Sequence, residues 1–204
     1  MNSSPPTRLA ILGTMSDLHA QPIAYDLDCL RKILANLSPD LLCAEITMEA
    51  WEREDFSRAS LEVREALAPV IASTDIVLIP VAPAPEQYAD FAPDSGWRRR
   101  LVWTFDWLLR WGQIQADDIR TINGPWFGAF CHTICWLTER FWTAKDLSAW
   151  ERQNKQLVEN IVHAVKRDSG CRVLVAVQCQ RLHQLIPLLH AHDDLFRIVA
   201  YQNL

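Results

Sequence analysis

Several absences narrow the function of this chain before any motif is read. Glycine is scarce, with six residues in 204. There is no GxGxxG and no Walker-type run, so the Gly-rich loops that cradle nucleotide phosphates are missing. Basic charge is also short. Twenty Lys and Arg against 25 Asp and Glu leave a formal net charge of −5, whereas phosphate-dominated binding needs a basic face, so nucleic acid is excluded as a general partner. No apolar run approaches the roughly 18 residues of a membrane span. The start, MNSSPPTR, has neither the charged n-region nor the apolar h-region of a secretory signal. A cytoplasmic chain without a membrane partner is the expectation.

Metal and disulfide signatures are missing as well: there is no HExxH and no paired CxxC. Six cysteines, at 29, 43, 131, 135, 171 and 179, lie scattered and mostly inside apolar runs, in a chain too large to need disulfide staples. Buried reduced thiols are expected. No internal repeat or low-complexity stretch is visible. The one dense basic run, Arg98-Arg99-Arg100 beside Trp97, reads as a solvated helix start, with a local anion patch as the alternative.

What is present is a core. Half the residues are apolar, and 1–204 reads as one α/β domain. Leu9 to Leu12 is a short apolar run stopped by Gly13 and reads as a buried strand. Leu27, Leu30, Ile33, Leu34 and Leu37 keep helical spacing until Ser38-Pro39. Leu41 to Ile46 reads as a second strand, Trp51 to Ile71 as an amphipathic helix, and Asp75 to Val81 as a third strand with an extended exit forced by Pro83 and Pro85. The βαβαβ alternation predicts a mostly parallel sheet with helices on both faces.

Residues 85–167 have no comparable strand and read as a helical insert, rich in tryptophan, that covers the carboxyl edge of the sheet as a lid. Trp103, Trp107 and Trp111 recur at four-residue steps on one helix face. Core packing is the first reading of this stripe; a cavity wall and a dimer interface are the others. Asn123-Gly124-Pro125 breaks the helices. Phe127 to Trp142 and Asp146 to Val165 read as two more, the second capped by Asp146 and closed at Ser169-Gly170. Arg172 to Val177 is a strand, a helix follows with Leu185, Ile186, Leu188 and Leu189, and Phe196 to Ala200 is a fifth strand.

With parallel strands, the loop Ser16-Asp17-Leu18-His19, Glu45 and the cluster Gln178-Cys179-Gln180-Arg181-Leu182-His183 all fall at one carboxyl edge, where open α/β sheets place ligands. Asp17, His19, Glu45, Arg181 and His183 are the candidate catalytic residues. A histidine poised by a carboxylate is a general base and an arginine stabilises an oxyanion, which suggests hydrolysis by an activated water. Glu45 serves as base or orients His19, Arg181 binds the anion, and His183 is the acid. The bland alternative is a structural Glu45–Arg181 ion pair with both histidines facing solvent. Gln178 and Gln180 can read a polar ligand, and Cys179 becomes a nucleophile if Arg181 stabilises its thiolate. Ser16 with His19 lacks the Gly-x-Ser-x-Gly context of an exposed nucleophile.

His19, His183 and Glu45 also make the two-imidazole, one-carboxylate set used by zinc and non-haem iron. A divalent metal is therefore one candidate cofactor and haem another. Cys131 and Cys135 share a helix face, with His132 about 100° away, and read as packed thiols or as part of a metal site. Beside a hydrolase of a small molecule or peptide stand two other functions: a binding protein for haem or a planar aromatic ligand, and a scaffold that forms a homodimer through the indole stripe.

The run Leu9-Ala10-Ile11-Leu12-Gly13-Thr14, a loop, a helix and Ser38-Pro39-Asp40-Leu41-Leu42-Cys43-Ala44-Glu45-Ile46 resemble the start of the TraB/Tiki group of proteins. There a Gly-Thr-x-His turn precedes a Pro-Asp-apolar run ending in glutamate. Arg152 and Asn154 are similar to that group's Arg-x-Asn element on a helix, which leads to an apolar strand and a Gly-x-Gly-His type turn. Erythromycin-esterase and ChaN-like haem-binding proteins share the layout. The resemblance covers both ends of the chain and not the Trp-rich middle. It implies an α/β fold, Glu45 in the site, Arg152 as a binding residue and, for some relatives, metal-dependent peptidase activity. Ser16 stands at the first histidine position, Gln178 and Gln180 at glycine positions, and Arg181 where the second histidine would be, with His183 two residues beyond.

Overall fold

The computed structural model describes residues 6–84 and 96–204. Strands β1 (Thr7–Thr14), β2 (Leu41–Ala44), β3 (Val77–Pro80), β4 (Arg172–Gln178) and β5 (Phe196–Val199) form one sheet in the order β3-β2-β4-β1-β5. Every pairing is parallel. The expected α/β architecture is the observed one. β4 lies at the centre and buries five consecutive residues, Val173 to Val177, as a strand covered on both faces must. Its side chains alternate. Leu174 and Ala176 join one core with Ala10, Leu12, Leu42 and Ala44, while Val173, Val175 and Val177 join the other with Leu9, Leu41 and Cys43.

Each core is closed by helices. α1 (Leu27–Leu37) supplies Leu30 and Leu34 to the first. Its N-cap Asp26 accepts from the Cys29 N–H, and it ends at Ser38 in the left-handed region (φ +41°) just before Pro39. The single helix expected over Trp51 to Ile71 is broken into α2 (Met48–Glu52), a π-helical turn over Val63–Leu67 and α3 (Ala68–Ala72). The gap at residues 53–60 is a run of turns in which Glu54 takes a left-handed φ of +52°, whereas Pro69 is the reason for the π turn. Its ring cannot sit over the carbonyl four residues back; the wider π turn gives it room, and the Arg31 guanidinium donates to that carbonyl, Glu65 O, instead.

Between β3 and β4 run α4 (Gly96–Ile114), α5 (Ile119–Ile122), α6 (Pro125–Glu139) and α7 (Ala144–Arg167); the first residues of the expected insert, 85–95, lie outside the described residues. α7 carries Leu157, Ile161 and Val165 into the second core, beside Leu185 and Leu189 of α8 (Leu182–His190). Its N-cap is Thr143 rather than Asp146. Thr143 Oγ1 accepts from the Asp146 N–H at 3.1 Å and donates to Asp146 Oδ2 at 2.7 Å, a reciprocal capping pair.

The first part of the insert, α4 and the turn after α5, is fastened to the sheet edge by several contacts. The Gly13 N–H donates to Asn123 Oδ1 at 2.7 Å, Gln113 Nε2 donates to Cys179 Sγ at 2.9 Å, and Arg110 pairs with Asp17 at 2.6 Å. Gly13 has no room for a side chain. A Cβ there would lie 2.9 Å from Leu182 Cδ1, 3.1 Å from Cys179 Cβ and 3.3 Å from Asn123 Oδ1. Gly13→Ala is expected to cost about 1–3 kcal/mol as overpacking, read as a lower urea midpoint with an unchanged m-value.

The indole stripe is not in the core. Trp103, Trp107 and Trp111 are 68, 54 and 51% exposed, while Leu109 and Gln113 of the same helix are buried. Leu109 stands two residues, about 200° of rotation, from Trp107. α4 therefore packs its leucine face inward and turns the stripe to solvent. Among the described residues no helix is long and apolar enough to cross a membrane.

Candidate functional site

β1 leads into α1 over one face of the sheet, and its neighbour β4 leads into α8 over the other. Adjacent strands whose connections leave in opposite directions make a topological switch point, the usual place for a crevice. The loops after β1, β2 and β4 all open there. They do not, however, converge on one constellation.

His19 turns inward. A left-handed Ser16 (φ +54°) bends the chain into a 3₁₀ turn over Ser16–Ala20, and the imidazole folds back beneath it, 2% exposed. Nε2 lies 3.0 Å from the Met15 N–H, which can only donate; Nδ1 lies 2.8 Å from Tyr25 O, which can only accept. The ring is thus the neutral Nδ1–H tautomer with both nitrogens engaged. It offers neither a base to water nor a lone pair to a metal. Burial lowers its pKa from the usual 6.5.

The sign of the resulting pH dependence is fixed. As pH falls through 6.5 the unfolded imidazole takes up a proton that the folded one refuses, so the unfolded state binds more protons and stability drops. Chemical denaturation at stepped pH should show that loss below 6.5, and a His19→Gln variant should show a flatter profile across the same window.

Asp17 is exposed and serves the Arg110 ion pair. The Ser16 hydroxyl makes no hydrogen bond to the described residues, and the residue only starts the 3₁₀ turn. Cys179 is buried, and the Cys131 thiol beside it together with desolvation push its pKa well up. Arg181 points elsewhere, so no thiolate is stabilised and the nucleophile reading is lost. Cys131 and Cys135 are packed thiols 3.9 Å apart, and His132 leaves them to meet the His183 ring edge-on. The six cysteines are free.

Glu45 and Arg181 do meet. Arg181 Nε lies 2.7 Å from Glu45 Oε1, with both side chains at or below 10% exposure, and Glu45 Oε2 accepts from the Gln178 N–H at 3.3 Å. Both carboxylate oxygens are taken. Arg181 Nη1 donates to Asn154 Oδ1 at 2.6 Å, and the guanidinium lies over the Trp150 ring, 4.1 Å from its centroid. Arg152 does not take part. Facing the opposite side of α7 it is exposed, and the buried neighbours Gln153 and Asn154 reach Arg181 instead.

From there a polar relay runs through the interior. Asn154 Nδ2 donates to Gln184 Oε1 at 2.5 Å, and Gln184 Nε2 donates to Glu139 Oε1 at 2.8 Å. Chemistry fixes both amide orientations. A guanidinium can only donate, so Asn154 turns its oxygen to it; a carboxylate can only accept, so Gln184 turns its nitrogen to Glu139. The remaining amide groups then face each other correctly, donor to acceptor from cation to anion, an arrangement in which successive bonds polarise one another.

Glu139 Oε1 collects two further donors, Trp150 Nε1 and His183 Nε2, each at 3.1 Å. His183 therefore donates from its Nε2–H, and its buried Nδ1 has no partner among the described residues. His19, His183 and Glu45 have separate partners, so the expected three-ligand metal set is not assembled. Among the described residues no group of three or more His, Cys, Asp or Glu is placed to hold a metal.

Glu139 is where this network reaches open space. A cavity of about 390 Å³ lies between α4, α6 and α7, walled by Trp103, Trp142 and Trp150 with Leu109 and Ile134, and edged by Arg99, Asp106, Glu139 and Gln180. Trp142 and Trp150 meet edge-to-face at 5.7 Å. Burial raises the Asp106 carboxyl pKa, with Arg110 opposing it. Gln180 is the one candidate site residue that lines this cavity; Glu139, Trp142 and Trp150 were not in the candidate set.

In comparisons with known proteins, no family model, curated protein or solved structure matches the chain.

Proposed function

We propose that the chain is a binding protein for a small, flat organic cation, seated in the tryptophan-walled cavity with its positive group at Glu139. One observation carries this. Glu139 Oε1 is saturated by three protein donors, while Oε2 has none among the described residues and belongs to a residue that lines an apolar, aromatic pocket. A carboxylate held rigid on one oxygen and unpaired on the other is a preorganised anchor for a donor cation. The indoles supply flat apolar walls that also attract positive charge. The volume suits a small ligand.

Haem fits less well, because it needs an axial donor. Cys135 is the lining residue of that kind, and its thiol faces Cys131. Hydrolysis is the second reading, favoured by the carboxylate–imidazole pair of Glu139, which edges the cavity, and the buried His183 behind it. The Glu45–Arg181 pair is less suited to it, since both Glu45 oxygens are occupied and neither residue lines the cavity. Kinship with the TraB/Tiki group is likewise a proposal. It is supported by Gly13-Thr14 at the end of β1, Glu45 and Asn154 lying around one carboxyl edge.

Benzamidinium and benzoate, planar rings of matched shape and opposite charge, test the binding reading. Calorimetric titration should show saturable benzamidinium binding that exceeds benzoate binding, with the probe recovered unchanged. Equal affinity for the two, or a preference for benzoate, contradicts it. Turnover of amide or ester probes that is lost in Glu139→Gln would favour hydrolysis instead.

A further inference from the structure

The outward face of α4 carries an unusual amount of aromatic surface. Besides Trp103, Trp107 and Trp111, Trp97 is 62% exposed and Ile114 is 38% exposed. At roughly 150–250 Å² per whole indole side chain, the four exposed fractions leave roughly 350–600 Å² on one helix. That matches the largest apolar patch a monomer normally shows, roughly 300–600 Å², a size often tied to function.

We propose that this face is a two-fold interface between copies of the chain, with α4 antiparallel to the α4 of a second copy about an axis at Trp107. In such an isologous contact each residue meets the one equally far on the other side of the axis. Trp103 then packs on the second copy's Trp111, and the stem of Arg100 covers its Ile114.

Charge selects both the partner and the direction. α4 begins with the exposed Arg98, Arg99 and Arg100, and exposed Asp117 and Asp118 follow its end. Antiparallel pairing sets Arg99 opposite position 115, just past the end of α4 and two residues before Asp117, and does so twice, once at each end of the contact. Parallel pairing would set three arginines against three arginines. An anionic lipid surface would meet Asp117 and Asp118 along with the arginines and gains no such match. The area also fits a transient contact. Both faces together bury roughly 700–1,200 Å² of indole, at or below the roughly 1,200 Å² lower bound of stable interfaces, so the dimer is reversible and forms at micromolar concentration.

Sedimentation equilibrium across the micromolar range should show the mass rising from 23.4 kDa toward twice that value. Trp107→Ala should weaken association at least about tenfold. Arg100→Glu and Asp117→Arg should each weaken it, because each sets like charges together at both ends of the contact. Mixed in equal amounts, the two variants should associate as the parent does. In the mixed pair the introduced carboxylate of one variant faces the introduced guanidinium of the other, and at the far end the unchanged Asp117 faces the unchanged Arg100. A mass that stays at 23.4 kDa throughout overturns the proposal. So does a variant mixture no stronger than its components, or a monomer that co-sediments with phosphatidylglycerol vesicles.

Discussion

Replacing Arg181 with methionine is expected to lower the free energy of unfolding by about 3–5 kcal/mol, the usual cost of removing one partner from a buried ion pair. The Glu45 carboxylate would be left with one 3.3 Å backbone donor, and Asn154 Oδ1 would lose its 2.6 Å donor. The size of the loss comes from stranding buried polar groups more than from the attraction itself. Arg181→Met combined with Glu45→Leu should therefore recover a large part of the stability, because no uncompensated charge remains. Urea denaturation of the single and double variants reads this directly. A single variant within about 1 kcal/mol of the parent, the range of exposed pairs, would show that water reaches the pair and that it has no structural weight.

Glu139→Gln should leave the fold nearly intact and remove most of the cation affinity. Glutamine keeps an amide oxygen to accept from Trp150, His183 and Gln184. It loses the charge and turns an N–H toward the ligand's own donors. A charge-assisted hydrogen bond is worth about 1.5–3 kcal/mol, so benzamidinium affinity should fall about 10- to 100-fold while benzoate affinity holds or rises. Trp150→Phe removes one donor to Glu139 and part of the wall, and should weaken binding less than Glu139→Gln does.

The fold was largely legible in the chain. The apolar runs at 9–12, 41–46, 75–81, 172–177 and 196–200 mark all five strands; the inner ones, covered on both faces, need nearly unbroken apolar sequence, while the edge strands β3 and β5 each expose a residue, Val77 and Arg197. The gap at 53–60 was not legible, whereas a disturbance at Pro69 was, in principle. A proline inside a helical pattern signals one, and only its relief by a π turn and by Arg31 needed the neighbouring helix.

The site was legible in its location and not in its membership. Glu45 and Arg181 were placed at one edge by strand direction alone, and their pairing followed. His19 lies in the expected loop, yet a backbone N–H and a backbone carbonyl hold it, and nothing in the residue types reveals backbone partners. Glu139 was missed because its donors come from 11, 44 and 45 residues away, with no shared motif. One signal was available. On α7 the stripe Trp150, Leu157, Ile161, Val165 is interrupted by Asn154, which is fully buried. A polar residue on a buried apolar face must find partners, and here they are Arg181 and Gln184.

The measurement that bears most directly on the cavity's role is the calorimetric affinity for benzamidinium and for benzoate, taken on the parent chain and on Glu139→Gln under one set of conditions. Binding at Glu139 requires the parent to prefer the cation and the variant to lose that preference, with one site per chain. A parent that binds both probes alike, or a preference that survives the substitution, would place the positive group somewhere other than Glu139.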